Sequence, residues 1–207
     1  MHLQALECLI VTCYGKAYMS ETKPFPVLET ANYQLRRIVA ADMPAVFRGL
    51  SDPRVTEYYG ISYATLASSQ EQMDWYEQVW LDGTGLWWGI CSKEKPEQLI
   101  GTCGLHEWEQ EHHCAETGFW LSPDHWGKAV IPECMNVIVN HCFKHLGLHR
   151  LQAMVEPENI ASWRLIEKLG FRLEGVLREC EYKNGRYVDL KCYSLLDREF
   201  GSKQDSH

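Results

Sequence analysis

No apolar run in this 207-residue chain approaches the ~20 residues that a membrane-spanning helix requires. The early stretch Leu9-Ile10-Val11 is interrupted upstream by Glu7 and preceded by no Lys or Arg, so it reads poorly as a secretory signal. Basic charge is also short. Lys and Arg number 20 against 28 Asp and Glu, a net charge of −8. That balance argues against a nucleic-acid binder, whose footprint is a basic patch. It suits a cationic substrate, which an acidic surface attracts. Internal repeats and low-complexity linkers are absent. The cysteines (Cys8, Cys13, Cys91, Cys103, Cys114, Cys134, Cys142, Cys180 and Cys192) are odd in number and include no Cys-x-x-Cys pair. They read as buried free thiols in a reducing cytoplasm. His112-His113-Cys114 is the one local cluster with metal-ligand chemistry, but no second ligand pair stands at zinc spacing. It reads as a solvated turn between strands, and no metal is expected.

What is present suffices for one domain. A chain of this length buries roughly 70% of its unfolded surface and needs no staple. Met19-Ser20-Glu21-Thr22-Lys23-Pro24 reads like a chain start, so residues 1–18 are expected to be an upstream extension. The expected organisation is an extension over residues 1–24, a domain over 25–200 and a flexible polar tail over 201–207.

Residues 33–39 read as a first strand. Asp42 is expected to cap a short helix ending near Leu50, with Asp52-Pro53 breaking it. Ser68-x-x-Glu71 has the form of a capping box opening a second helix, with Met73, Tyr76 and Trp80 at helical spacing. Strands follow at about 86–92, 98–107 and 113–121 by alternation, the middle one interrupted by Gly101 and Gly104, which suggests a bulge or a close backbone approach. A helix runs from about Pro132 to Leu146 with Met135, Ile138, Val139, Cys142 and Leu146 on its buried stripe, and Gly147 stops it. Residues 149–155 alternate as a strand that buries Leu151, Ala153 and Val155. Asn159 caps a helix that ends at Gly170. Asn184-Gly185 then turns a hairpin joining roughly 174–182 to 187–195. The order β-α-α-β-β-β-α-β-α-β-β describes an α/β fold around one sheet.

Two segments carry chemistry. In residues 118–133 a strand runs through a tight loop, Trp126-Gly127-Lys128-Ala129-Val130-Ile131, into a helix N-terminus. Several N–H groups and the positive helix end then point at one spot, which favours an anion such as pyrophosphate, and Lys128 adds charge. The other reading is a plain helix cap. In the second segment Ser162 lies three, four and seven residues before Leu165, Ile166 and Leu169, so it shares the helix's apolar face. A hydroxyl there has either a task or a back-bond to a carbonyl one turn earlier. Glu116 shares a strand face with Gly118 and Trp120. It is either a general base or half of a cross-strand ion pair. Glu133, in a first helical turn, complements the helix dipole and reads as structural. Trp87-Trp88 and Tyr58-Tyr59 line an acceptor cleft or, as aromatic pairs more often do, fill the core. Arg178 and Glu174 read as a surface pair.

Together the two segments resemble the GNAT superfamily of acyl-CoA-dependent N-acyltransferases, and most closely its ribosomal-protein N-terminal acetyltransferase branch. The resemblance covers roughly residues 32–196. It rests on Ala115-Glu116-Thr117-Gly118-Phe119-Trp120-Leu121, on the Trp126-Gly127-Lys128-Ala129-Val130 loop, on Asn159-x-x-Ser162 running into Glu167-Lys168-Leu169-Gly170-Phe171, and on Glu174-Gly175-Val176-Leu177-Arg178. It implies a single α/β (α+β) domain with a mixed, mostly antiparallel sheet of about seven strands, splayed in the middle, and about four helices. It implies acetyl-CoA as co-substrate and no metal. The pantetheine arm would pair with Phe119, Trp120 and Leu121, the pyrophosphate would sit on the amides of Trp126 to Ile131, and Asn159 would contact the cofactor. Ser162 matches the position that protonates the leaving CoA thiolate, and the acetyl group passes directly to an amine. The chain departs from the family at Ala129, where glycine is usual, at Ile131, where a small residue is common, and at Ile166, where many relatives carry a Tyr. An attacking amine must lose a proton first, and Glu116, acting through water, is the first candidate to take it.

The expected function is a cytoplasmic acetyl-CoA-dependent N-acetyltransferase. Its acceptor is a protein N-terminal amine or a small amine such as a polyamine, an amino sugar or an antibiotic. A non-catalytic acyl-CoA-binding module is the alternative. No nucleic-acid or membrane partner is expected. Oligomeric state stays open, with the homodimer the common assembly for soluble proteins.

Overall fold

The computed structural model describes residues 24–201; the predicted extension and polar tail, residues 1–23 and 202–207, lie outside the described residues. The first half of the chain forms β1 (Leu28–Glu29), β2 (Tyr33–Arg37), α1 (Met43–Leu50), α2 (Pro53–Thr56) and α3 (Gln70–Leu81). An antiparallel run follows: β3 (Leu86–Ser92), β4 (Lys95–Glu109) and β5 (Cys114–Leu121). The second half holds α4 (Val130–Lys144), β6 (Arg150–Val155), α5 (Ile160–Leu169), β7 (Arg172–Lys183), β8 (Arg186–Leu196) and α6 (Asp197–Gly201).

The strands make one eight-stranded sheet in the order β1-β2-β3-β4-β5-β6-β8-β7. Every neighbouring pair is antiparallel except β5 and β6. The α/β expectation holds, with eight strands rather than about seven and six described α-helices rather than about four. The surplus is short: a two-residue β1, a four-residue α2 and a five-residue α6.

The sheet is covered on both faces, and alternation along β3 sorts its side chains between them. Trp88 and Ile90 pack with Cys134, Met135, Ile138 and Val139 of α4 and with Ile166 of α5. Trp87 and Cys91 pack with Val46 and Leu50 of α1 and with Met73 and Tyr76 of α3. Trp88 is fully buried and its indole N–H donates to the Pro26 carbonyl at 2.8 Å, so no polar group is stranded. Gly104 marks the expected close approach: a Cβ there would lie 2.3 Å from the Leu86 carbonyl oxygen. The Asn184-Gly185 turn forms with φ 52° and 79°, the positive pair that a type I′ hairpin needs.

Two caps differ from expectation because their side chains found other partners. Asp42 precedes α1, but its carboxylate accepts from the Val39 N–H at 2.9 Å and from Arg36 at 2.8 Å instead of from the helix. Ser68 exchanges hydrogen bonds with Thr65, closing a turn ahead of α3, so the Ser68–Glu71 box does not form. Asp52, expected only as a breaker, caps α2 by accepting from the Arg54 N–H at 2.9 Å.

Candidate active site

The parallel pair creates the site. β5 and β6 are joined by three rungs: Cys114 opposite Arg150, Ala115 opposite Leu151 and Glu116 opposite Gln152. Beyond Glu116 the pairing stops. Phe119, Trp120 and Leu121 keep their β4 partners Cys103, Thr102 and Gly101 on one edge, while the edge toward β6 is open. Side chains of Trp120 and Leu121 are buried, so these residues offer backbone groups to a ligand. A buried network holds this strand flat against the helices. The Trp120 indole donates to the Tyr76 hydroxyl at 3.1 Å, Tyr76 lies 3.3 Å from the Thr102 hydroxyl, and Trp87 donates to Thr102 at 2.8 Å. Burial pushes the Tyr76 phenol up to about 12, keeping it a neutral donor and acceptor.

β5 leads through a short turn, Pro123–His125, into the loop before α4. The Trp126 indole donates to the Leu121 carbonyl at 2.8 Å, and the Lys128 ammonium to the Asp124 carbonyl at 2.7 Å, so both ends of the loop are tied down. Gly127 and Ala129 take positive φ, 73° and 56°. Among the described residues, the N–H groups of Gly127, Lys128, Ala129, Val130 and Ile131 donate to no backbone carbonyl outside the helix. Five consecutive free donors at the start of a 15-residue helix fit a diphosphate in charge and in donor count. Val130 and Ile131 point their side chains into the core, so Ile131 does not crowd the loop's open side.

Across the opening, β6 runs through Glu156 and Pro157 to α5. The Asn159 side-chain oxygen accepts from the Ser162 N–H at 3.2 Å, the predicted cap. Its amide NH₂ donates to nothing among the described residues and is available to a ligand. Ser162 is half-buried, and its hydroxyl makes no back-bond to the preceding turn. The hydroxyl is thus free for a task.

Glu116 stands on the last rung before the strands part. Its partner across β4 is His106, whose Nε2 lies 3.9 Å from the carboxylate Oε1. Burial, with Glu107 and Glu181 nearby, pushes the Glu116 carboxyl up to about 7, opposed only in part by a hydrogen bond with Gln152. A carboxylate with that proton affinity exchanges protons near neutral pH. No hydrogen bond joins Glu116 to Ser162 among the described residues. They stand on opposite sides of the splay, one on β5 and one on the helix after β6.

An open sheet edge, a run of free amides at a helix start, a free helical hydroxyl and a proton-hungry carboxylate fit a site for moving an acyl group. The profile of the acetyltransferase (GNAT) domain matches residues 33–172. The chain belongs to the GNAT acetyltransferase family. The Bacillus subtilis protein named uncharacterized N-acetyltransferase YoaA is 36% identical over 173 residues, spanning 83% of this chain and 97% of its own. The ribosomal-protein-serine acetyltransferase of Escherichia coli is 29% identical over 102 residues, 49% of this chain and 57% of its own. The crystal structure of spermidine N-acetyltransferase from Vibrio cholerae with CoA and spermine superposes with a TM-score of 0.72 at 26% identity, covering 81% of this chain and 97% of that one. This GNAT protein is therefore an acetyl-CoA-dependent N-acetyltransferase that acts on an amine. The non-catalytic alternative gives way.

Other sequence-level candidates resolve differently. Trp87 and Trp88 are core residues, although Trp87 also touches His106 edge-on at 5.7 Å. Glu174 pairs with Arg150 in two contacts of 2.7 Å and accepts from Ser194, so Arg178 is not its partner. Glu133 does more than complement a dipole: it accepts from the Asn32 N–H at 2.9 Å and its amide at 3.0 Å, fastening the β1–β2 turn to α4. Cys91, Cys103, Cys134 and Cys142 are buried free thiols, but Cys180 is exposed. Sequence reasoning missed Lys183, which pairs with Glu156 in a buried contact beneath the Tyr58 ring and pins the hairpin tip beside the site.

Proposed function

We propose that this enzyme acetylates a protein N-terminal α-amine, with Glu116 as the general base and Ser162 as the general acid. The observation that carries the proposal is the position of Glu116 on the last β5–β6 rung, half-buried, with its carboxyl pushed up to about 7. An α-amine has a pKa of about 8 and a lysine about 10.4. The transfer to Glu116 is uphill by roughly one unit from the first and by more than three from the second. The family relative named for ribosomal-protein serine supports the same acceptor.

Acetyl-CoA supplies the acetyl group as a thioester. The free loop amides from Gly127 to Ile131 hold its diphosphate, the expected Trp126 N–H being taken instead by the Pro123 carbonyl at 3.1 Å. The open edge of Phe119 to Leu121 orients the arm, and the free Asn159 amide faces it. Glu116 removes the amine proton, directly or through one water. The Ser162 hydroxyl donates a proton to the departing sulfur and takes a replacement proton from water. A second reading, a small polyamine acceptor, is favoured by the cluster of Glu107, Glu116 and Glu181, which suits a polycation. A cytoplasmic setting is part of the proposal, supported by the four buried free thiols. So is a homodimer, supported by edge strand β7, which leaves Leu173, Val176 and Leu177 about half exposed.

The test is steady-state kinetics on Ser162→Ala and Glu116→Gln, with an N-terminal peptide and a polyamine compared as acceptors and CoA binding followed by calorimetry. Each variant is expected to lose about a hundredfold or more in kcat while binding CoA normally. In the unsubstituted enzyme kcat/KM for the peptide should fall as pH drops through about 7, where Glu116 takes up its proton. Unchanged turnover in either variant removes that residue from the mechanism, and preference for the polyamine overturns the acceptor assignment.

A further inference from the structure

His106 is the titratable side chain closest to Glu116 in the cross-strand register, and the mechanism so far gives it no work. It sits at the end of the regular β4–β5 ladder. Directly after it β4 bulges: the register jumps between His106 and Glu109, and Glu107 takes φ 50°. Bulges of this kind re-aim a side chain. The ring stands edge-on to Trp75 at 6.0 Å and to Trp87 at 5.7 Å, so α3 and β3 hold its plane.

The hydrogen bonding fixes which nitrogen carries the proton. His106 Nδ1 lies 3.3 Å from the Glu116 backbone carbonyl. A carbonyl only accepts, so Nδ1 is the N–H in the neutral ring. Nε2 therefore presents its lone pair toward the Glu116 carboxyl 3.9 Å away. Catalytic hydrogen bonds are often long in a ligand-free site and tighten when substrate seats. Burial keeps the imidazole below its ordinary proton affinity, so the ring is neutral and able to accept at neutral pH.

We propose that His106 acts through Glu116 as a positioning residue and proton acceptor, taking from it the proton removed from the acceptor amine and releasing that proton to solvent. This rests on the reading of Glu116 as the base. The amine N–H bond breaks as the Glu116 O–H bond forms. The Glu116 O–H bond then breaks as the His106 Nε2–H bond forms. The imidazolium, with about a quarter of its side chain exposed, loses the proton to water, and both groups return to their starting state. The charged and titratable groups around the pair are Glu107 on β4, Glu181 on β7 and Cys192 on β8, with Gln152 on β6 as a neutral partner. Glu107, whose charge raises the proton affinity of the imidazole, favours the imidazolium once it forms.

The decisive readout is the acid limb of log kcat/KM against pH. With both groups in the path, the limb has slope one just below about pH 7 and steepens to two once His106 is also protonated. His106→Phe keeps an aromatic ring between the tryptophans. It is expected to hold slope one throughout and to lose about tenfold in kcat at neutral pH. His106→Ala is expected to regain activity when imidazole is added, and His106→Asn guards against a packing defect in the other two. CoA binding and the circular dichroism spectrum report folding in each. A second-order limb that persists in His106→Phe, or an absence of rescue by imidazole in a folded His106→Ala, overturns the proposal for His106 alone. Full activity in Glu116→Gln overturns the base assignment itself, and this inference falls with it.

Discussion

Ala129 holds φ 56° and ψ 21° at the start of α4, in the left-handed region that costs an L residue roughly 1–2 kcal/mol. The cost is stored in the loop proposed to hold the diphosphate. Glycine would remove it, while adding unfolded-state freedom worth about 0.4–1 kcal/mol. The Ala129 methyl is exposed and packs against little. Ala129→Gly should therefore stabilise the protein by about 0.5–1 kcal/mol. The check is a rise in the urea midpoint at unchanged slope, and a fall would show that the methyl contributes more than the backbone strain.

At the level of elements, β7 is tied to the sheet by Glu174 as well as by its β8 ladder. Arg150 hydrogen bonds, with help from Ser194, hold the Glu174 carboxyl down at about 2 against an ordinary 4.5. A depressed carboxyl contributes stability that is present above its unfolded pKa and disappears as pH falls through the folded one. The contribution should vanish between pH 4.5 and about 2. Glu174→Gln should lose less stability over that interval than the natural chain, measured as urea midpoints at a series of pH values. Equal losses would locate the acid sensitivity elsewhere. The same strand shows what a sequence can and cannot disclose. Its turn and its pairing with β8 followed from Asn184-Gly185, because that signal is local. The partner of Glu174 did not, because Arg150 lies 24 residues back on another strand. Asp42 and Ser68 lie near helix starts as expected, yet neither caps one: each bonds to a neighbour just upstream, and Ser69 rather than Ser68 stands at the N-cap of α3, a choice that propensity does not encode. At the site, the loop and the Asn159–Ser162 cap were legible as patterns, since each lies in one short segment. The pairing of His106 with Glu116 was not, because it depends on a bulge that sets the register.

For the molecule as a whole, the net charge of −8 sets a long-range field that attracts cations. Raising ionic strength from about 0.01 to 0.15 M shortens the screening length from about 30 to 8 Å. The KM for a positively charged acceptor should rise over that range while kcat holds. A salt-independent KM would show that recognition is confined to contacts inside the cleft. The most consequential feature at this scale is the shortness of the β5–β6 ladder, with three rungs between one leaf of five strands and another of three. Mechanically this is a seam left partly unstitched. In the proposed binding mode a co-substrate arm that carries amides of its own would supply the missing stitches, and binding would complete a piece of secondary structure rather than fill a hole. Each turnover would then mend the sheet and unpick it again, leaving the enzyme most nearly a finished fold only while it is at work.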